Sequence, residues 1–174
     1  MDWNDLFSRI LSLRTFSNLW YWMAVCVSWM VASHWIIGVP FDMIYNARRA
    51  GGQPAQDLSA LVDINARRLQ GLYDTGGMIL VGLVAFMLTS MAVTGFYYGM
   101  EVAQGMFFLA APLTIVGVLN FQKSNAFLQA PPTLEDLPKR LMNLRMVIQF
   151  IGMTAIFLSA TYGMYFNLTK PFGY

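Results

Sequence analysis

Four long stretches without a charged residue constrain the fold of this 174-residue chain more than any other feature. They cover residues 15–41, 75–100, 102–122 and 146–169, and all Asp, Glu, Lys and Arg residues lie outside them. About 20 consecutive apolar residues in a helix cross a hydrocarbon layer about 30 Å thick. Each stretch is long enough, and none alternates apolar with polar residues as a barrel strand does. The sequence therefore predicts an all-α membrane protein with four transmembrane helices.

The composition excludes several other classes of protein. Charged residues make up 11% of the chain, against about 25% in an average globular domain. This difference argues against a soluble enzyme, a disordered tail and a nucleic-acid-binding module. The net charge of +2 is too small to imply a nucleic-acid partner. Cys26 is the only cysteine, so neither an intrachain disulfide nor a multi-thiolate metal site is expected.

The chain is predicted to form a single membrane domain, residues 1–174. The four spans are predicted at residues 19–39, 77–96, 102–120 and 146–166. Pro40 is expected to end the first span. In residues 3–16, apolar side chains recur every three or four positions, which predicts an amphipathic helix lying in the membrane interface. The N-terminus carries Asp2 and Asp5 and does not resemble a cleaved signal peptide, so we expect the first span to be retained.

Two long polar segments, residues 40–76 and 121–145, connect the spans. The first is predicted to be helical, with a helix at Phe41–Ala50 that ends at a glycine and a second helix at Asp57–Tyr73. Asp63 and Arg67 stand four residues apart and can pair. The tetrapeptide Asn-Ala-Arg-Arg occurs twice in this segment, at 46–49 and 65–68. The repeat is either chance or a pair of matched basic edges that face anionic lipid or an acidic partner.

The distribution of Lys and Arg predicts the orientation of the chain. The two long segments carry eight of these residues, and the rest of the chain carries three. The positive-inside bias then places both segments in the cytoplasm and both termini in the periplasm of a bacterial inner (cytoplasmic) membrane. Most of the loop cations are candidate contacts for lipid or a cytoplasmic partner: Arg48, Arg49, Arg67, Arg68, Lys139, Arg140 and Arg145.

His34 is the only histidine, and it lies near the cytoplasmic end of the first predicted span. Ionisable residues at membrane depth are costly and raise a functional hypothesis by default. Three interpretations compete: a neutral ring that hydrogen-bonds a neighbour or reaches the interface, an axial ligand to a haem or chlorophyll-type pigment, and a proton relay. A relay would need an ionisable partner at the same depth, and the spans offer none.

The sequence contains no recognisable catalytic motif. It has no Gly-rich phosphate loop, no His-x-x-x-His zinc pattern and no acid placed to orient His34. Glu101, at the predicted outer interface, is expected to stay hydrated and to be favoured by the dipole of the helix it begins. Transport has little support either, because only Pro112 interrupts the midplane. We therefore expect a protein that is not an enzyme and has no cofactor.

Small residues recur every four positions in two of the predicted spans. Such patterns allow close approach of helix backbones in lipid, where association depends on van der Waals fit. They therefore predict close helix packing, with a partner inside or outside the chain. The first span contributes Ala24, Ser28 and Ala32, and the fourth contributes Ala155, Ser159 and Gly163.

Several motifs resemble those of a family of small bacterial integral membrane proteins. They are Arg14-Thr-Phe-Ser-Asn-Leu-Trp-Tyr-Trp22, Ala32-Ser-His-Trp35, Gly38-Val-Pro-Phe-Asp-Met43, Ala47-Arg-Arg49, Ile64-Asn-Ala-Arg-Arg68 and Gly95-Phe-Tyr-Tyr-Gly99. The resemblance covers roughly residues 14–120. Members of this family are often labelled as a component of the SufBCD iron–sulfur assembly complex. The label implies a cytoplasmic partner, but no activity or catalytic residue comes with it.

These observations lead to one function and one alternative. The expected function is that of a non-catalytic accessory, assembly or scaffolding subunit of a larger inner-membrane complex. Its partners would be membrane lipid, other membrane protein subunits and a cytoplasmic protein at the basic segments, without nucleic acid. The alternative is a protein that binds a haem or pigment, or a small transport protein, centred on His34.

Overall fold

Five α-helices and one β-hairpin dominate the part of the chain that the computed structural model describes, residues 15–169. A 3-10 turn precedes α1, and a short π-helical turn follows α3. In chain order the elements are the 3-10 turn Thr15–Ser17, α1 Leu19–His34, β1 Trp35–Ile36, β2 Val39–Pro40, α2 Phe41–Ala50, α3 Gly52–Ala92, the π-turn Val93–Tyr97, α4 Glu101–Gln129 and α5 Asp136–Thr169. The predicted all-α class is confirmed. The predicted interfacial helix at residues 3–16 falls almost entirely outside the described residues.

Three helices are long and apolar enough to cross a membrane: Gly52–Tyr97, Glu101–Gln129 and Asp136–Thr169. They are compatible with a membrane-embedded protein. The remaining predicted span, the first, corresponds to α1, which has 16 residues and ends at His34. At 1.5 Å per residue, α1 alone is about 24 Å long, less than the hydrocarbon thickness of about 30 Å.

A tight hairpin explains why α1 ends before the predicted boundary at residue 39. Ile36 pairs with Val39, and the two residues between them turn the chain with positive φ, 52° at Ile37 and 70° at Gly38. Positive φ is costly for a β-branched residue such as Ile37. Burial offsets this cost, because Ile36 and Val39 are 0% exposed and Ile37 is 5% exposed. Pro40 therefore precedes α2 and does not end the span.

The predicted polar segments are mainly extensions of the long helices. Helix α3 has 41 residues, which corresponds to about 62 Å. It joins the predicted helix at Asp57–Tyr73 to the span without a break. The ring of Tyr73 lies beside Gly77 and leaves no space for a larger residue there. The same ring packs on Phe121, with ring centroids 4.6 Å apart. Helix α2 is confirmed at Phe41–Ala50.

The hydrophobic core lies mainly at one end of the molecule. We call this end the head; it comprises the hairpin, α2, residues 52–74 of α3, residues 121–129 of α4 and residues 136–145 of α5. Five fully buried side chains there are Ile36, Val39, Ile44, Leu58 and Leu141. Burial of apolar side chains is strongly favoured in water, whereas lipid tails provide little hydrophobic driving force between helices. This distribution is compatible with a head in water and long helices in lipid.

The opposite end, which we call the far end, brings together the start of α1, the start of α4 and the end of α5. The backbone N–H of Phe16 donates to Glu101 Oε1 at 2.8 Å. Phe16 also packs on Gly163, and Trp29 packs on Gly152, so α1 and α5 run antiparallel. Helix α1 therefore runs from the far end to the head alongside the long helices.

Candidate functional site

His34 lies at the last residue of α1 and is half-buried. Its ring meets Trp35 edge-on, with centroids 6.0 Å apart. Within residues 15–169, no group of three or more His, Cys, Asp or Glu side chains is arranged to hold a metal ion. The cofactor-ligand and relay interpretations of His34 stay predictions.

Most of the predicted contact cations are exposed, but some already have partners. Arg67 forms an ion pair with Asp63, as the sequence predicted, and Lys139 pairs with Asp136 at 3.5 Å. A hydrogen bond from the hydroxyl of Thr133, followed by the effect of Lys139, lowers the pKa of Asp136 below its usual value. The predicted contact cations that are exposed and absent from the ion pairs between described residues are Arg48, Arg49, Arg68 and Arg140.

Arg145 differs from the other predicted contact cations. It is half-buried, and its guanidinium carbon lies 3.6 Å from the centroid of the Phe41 ring. A cation stacked on an aromatic face in this way contributes to packing. In the structure Arg145 therefore joins α5 to α2 and is not a free contact for lipid or a partner.

The two Asn-Ala-Arg-Arg segments share a burial pattern but lie at different heights. Ala47 and Ala66 are buried, and the arginines that follow each of them are exposed. The first segment lies at the end of α2, next to Gly52, whereas Arg68 lies 16 residues further along α3, about 24 Å away along its axis. The two segments therefore do not form one continuous basic patch, and their interpretation as basic edges that face lipid or an acidic partner stays a prediction.

The two predicted small-residue patterns are placed differently. Ala155, Ser159 and Gly163 are buried on α5 and face α1. On α1, however, Ala24 is exposed, and Ser28 and Ala32 are only half-buried. The buried face of α1 lies one position further along, at Val25 and Trp29.

Helix α1 packs through large aromatic side chains that fill spaces beside glycines. A Cβ added at Gly152 would lie 2.7 Å from the ring of Trp29, and one added at Gly163 would lie 2.9 Å from Cβ of Phe16. A Cβ added at Gly105 would lie 3.1 Å from the ring of Tyr21. At each of these contacts a large side chain of α1, or of the 3-10 turn before it, lies against a glycine of another helix. Complementary volumes fill the interface to the density that packed interiors require.

A buried polar cluster at the far end is the main feature that sequence reasoning missed. Glu101 is 7% exposed and Gln104 is 3% exposed, so the expectation that Glu101 stays hydrated is wrong. Tyr21 Oη lies 2.6 Å from Ser159 Oγ and donates to the backbone carbonyl of Gly105 at 3.3 Å. Buried polar groups need hydrogen-bond partners, and here these bonds join α1, α4 and α5. In the sequence, only the three-residue spacing of Glu101 and Gln104 indicates that these two polar side chains share one face of α4.

The membrane half of α3 packs along α4 and is otherwise open. Only 6% of its most apolar 18-residue window is buried within the chain, against 28% in α5. Large apolar side chains such as Leu83 and Phe86 cover much of its exposed surface. One line of residues that recurs every three or four positions is small at all but one position, and we call these residues the α3 outer stripe. They are Gly71, Thr75, Met78, Gly82, Ala85, Thr89 and Ala92, and all are exposed except the half-buried Ala92.

An open groove of about 500 Å³ lies in the head, between α3 and the connection from α4 to α5. Phe127, Pro132 and Leu137 form apolar parts of its lining, and Asp63 contributes a carboxylate. None of the predicted contact cations lines it. A partner that uses the basic side chains would therefore contact another part of the head.

Comparison with known proteins finds no matching family model, no matching curated protein and no matching solved structure.

Proposed function

We propose that this protein is a non-catalytic accessory or scaffolding subunit of a larger bacterial inner-membrane complex, which contacts another membrane subunit through the α3 outer stripe. The open membrane half of α3 carries this proposal. Helix pairs in lipid are stabilised by close van der Waals packing, and small side chains allow backbones to approach. A lipid-facing surface has no need for small residues at this spacing.

The head supports a second contact, on the cytoplasmic side. Arg48, Arg49 and Arg140 are exposed there and absent from the described ion pairs. Their charge suits an acidic protein surface, which would also fit the partner implied by the resemblance to proteins labelled as SufBCD components. We place this partner second, because exposed cations are common on any solvated head.

The α3 contact can be tested by adding bulk to the stripe. Native membranes are solubilised in mild detergent and run on a native gel. We expect the protein to migrate in an assembly larger than the free chain. The double variant Ala85→Leu/Thr89→Leu should weaken the assembly at least about tenfold, because overpacking costs about 1–3 kcal/mol per site. The variants should not change the melting temperature of the isolated chain, since both positions are exposed.

Leu83→Phe is the matched control, because it adds bulk to α3 at an exposed position outside the stripe. It should leave the assembly intact. A parent protein that migrates only as a free chain, or an assembly that tolerates the double variant, would contradict the proposed contact.

We also propose four membrane crossings, with the head in the cytoplasm and both termini in the periplasm. The 16 residues of α1 and two extended residues of β1 together cover about 30 Å, enough to cross the hydrocarbon layer. In a Cys26→Ala background, a cysteine at exposed Leu19 or Met100 should react with an impermeant thiol reagent in spheroplasts. A cysteine at Gln53, in the head, should react only after the membrane is opened.

The labelling pattern separates the alternatives. Reaction at Met100 without reaction at Leu19 would leave only three crossings. Reaction at Gln53 alone would reverse the orientation.

A further inference from the structure

A groove lies between the hairpin and α3, over the surface of α4, and we call it the hairpin groove. It is open and has a volume of about 340 Å³. Asn65 on α3 donates from Nδ2 to the backbone carbonyl of Gly38 at 3.0 Å and holds the hairpin beside the groove. Its lining includes Trp35, Ile37, Arg68, Leu72, Gly117 and Asn120.

The hairpin groove crosses the expected edge of the membrane. Arg68 lies six residues before Asp74, the last charged residue before the span of α3, and so about 9 Å outside that edge along the helix axis. This is near the headgroup layer, which adds several ångströms to each side of the hydrocarbon core. Gly117 lies within the charge-free part of α4. The groove therefore has a charged end and an apolar end, as an amphipathic ligand requires.

The charged end of the groove has a cation available for a ligand. Arg68 is exposed and takes part in neither of the ion pairs found between described residues. Its neighbour Arg67, by contrast, is paired with Asp63 and does not line the groove. A guanidinium binds phosphate oxygens through two parallel hydrogen bonds, so Arg68 suits a phosphate group.

The apolar end of the groove has space for a hydrocarbon chain. No atom lies within 4 Å of the position of an added Cβ at Gly117. Asn120 lies about one turn away on α4, and its Oδ1 atom is buried and leaves almost no surface for a ligand to reach. Trp35, 51% exposed, lies at the edge, as interfacial tryptophans commonly do.

We propose that the hairpin groove binds one anionic phospholipid of the cytoplasmic leaflet, of the phosphatidylglycerol class. The phosphodiester binds Arg68, and an acyl chain lies over Gly117 and Leu72. The inference rests on the proposed membrane placement, and it is independent of the partner at the α3 outer stripe.

Native mass spectrometry of the full chain in mild detergent, with added phosphatidylglycerol, tests this site. We expect one lipid to bind more tightly than the rest, and Arg68→Gln to weaken that first event at least about tenfold. Arg67→Gln is the matched control and should leave the first event unchanged. Gly117→Leu should weaken it as well, because the added side chain occupies the chain end of the groove.

Two further ligands distinguish a bound phospholipid from a bound free phosphate. Phosphatidylcholine has no net charge, so it should bind at least about tenfold more weakly. Inorganic phosphate at millimolar concentration should not compete. Equal effects of Arg68→Gln and Arg67→Gln, or equal binding of both lipids, would overturn the lipid site. Competition by inorganic phosphate would show an anion site and would also overturn it.

The thiol-labelling test of topology and this lipid-binding test are separate measurements, and either can fail alone. Loss of the α3 partner with retained lipid binding would leave the groove proposal intact. A reversed orientation would move the lipid to the periplasmic leaflet and would contradict the leaflet named here.

Discussion

Leu141→Ala is expected to lower the free energy of unfolding by about 2–5 kcal/mol, the range found for buried leucines. Leu141 lies in the head and is 0% exposed. The substitution removes apolar contacts within the head core and leaves a cavity that a packed core closes only in part. Such a loss is a large fraction of the stability of a typical domain, so the variant should melt well below the parent. The measurement is a reversible denaturation curve in mild detergent, with thermal melting as a second readout.

Leu80→Ala is the matched control for the core of the head. Leu80 lies in the span of α3 and is 55% exposed, so its truncation removes contacts mainly with lipid or detergent. We expect a change within about 0.5 kcal/mol, as for surface substitutions. If the two variants lose equal stability, the chain does not concentrate its stabilising contacts in the head.

Gly95→Ala is expected to destabilise the chain by about 1–3 kcal/mol, the usual cost of overpacking. Gly95 lies in the π-turn between α3 and α4. An added Cβ would lie 2.9 Å from the backbone nitrogen of Gln104 and 3.2 Å from the backbone carbonyl carbon of Ala103. Backbone atoms cannot rotate aside as a side chain can, so the two helices must separate. This separation would also lengthen the hydrogen bond from Gln104 Nε2 to the Gly95 carbonyl, now 2.7 Å.

Gly76→Ala should have the opposite sign. Gly76 lies within α3, and no atom lies within 4 Å of its ideal Cβ position. Alanine is favoured over glycine in a helix by about 1 kcal/mol, so this variant should be neutral or more stable. Equal melting temperatures for Gly95→Ala and the parent would show that the turn can open without cost.

Local patterns predicted the features that depend on neighbours along the chain. The charge-free stretches predicted apolar helices, and the spacing of Asp63 and Arg67 predicted their ion pair. Gly51 after the basic residues of α2 predicted its end, where the glycine has a φ of 60° and its N–H donates to Ala47. Each of these features needs only the helix period, the reach of a side chain or the conformational freedom of glycine.

The hairpin could not be predicted in the same way. Trp35 to Pro40 continues an apolar run, and apolar residues favour a span and a buried strand equally. The turn also depends on Ile37 at a positive φ, which no rule of turn composition favours. Only the head core, formed by residues far along the chain, makes this conformation favourable.

The packing of α1 also depends on distant parts of the chain. Trp29 needs Gly152, and Phe16 needs Gly163, at separations of more than a hundred residues. A search for small residues within one segment cannot detect a large residue that fits a space in another. Glu101 was misplaced for a related reason, because its burial requires the backbone N–H of Phe16 as a donor.

The unbroken length of α3 gives the molecule a lever. The helix runs from the tip of the head, at Gly52, to the π-turn at the far end. Helices bend only gently, so a tilt imposed at one end is carried to the other with little loss. For a rod about 60 Å long, a tilt of about 10° displaces the opposite end by about 10 Å. In the orientation proposed above, a protein that pushes on the tip of the head would shift the loop beyond Tyr97 on the other side of the membrane. Motion would then pass across the bilayer without a channel or a transported solute.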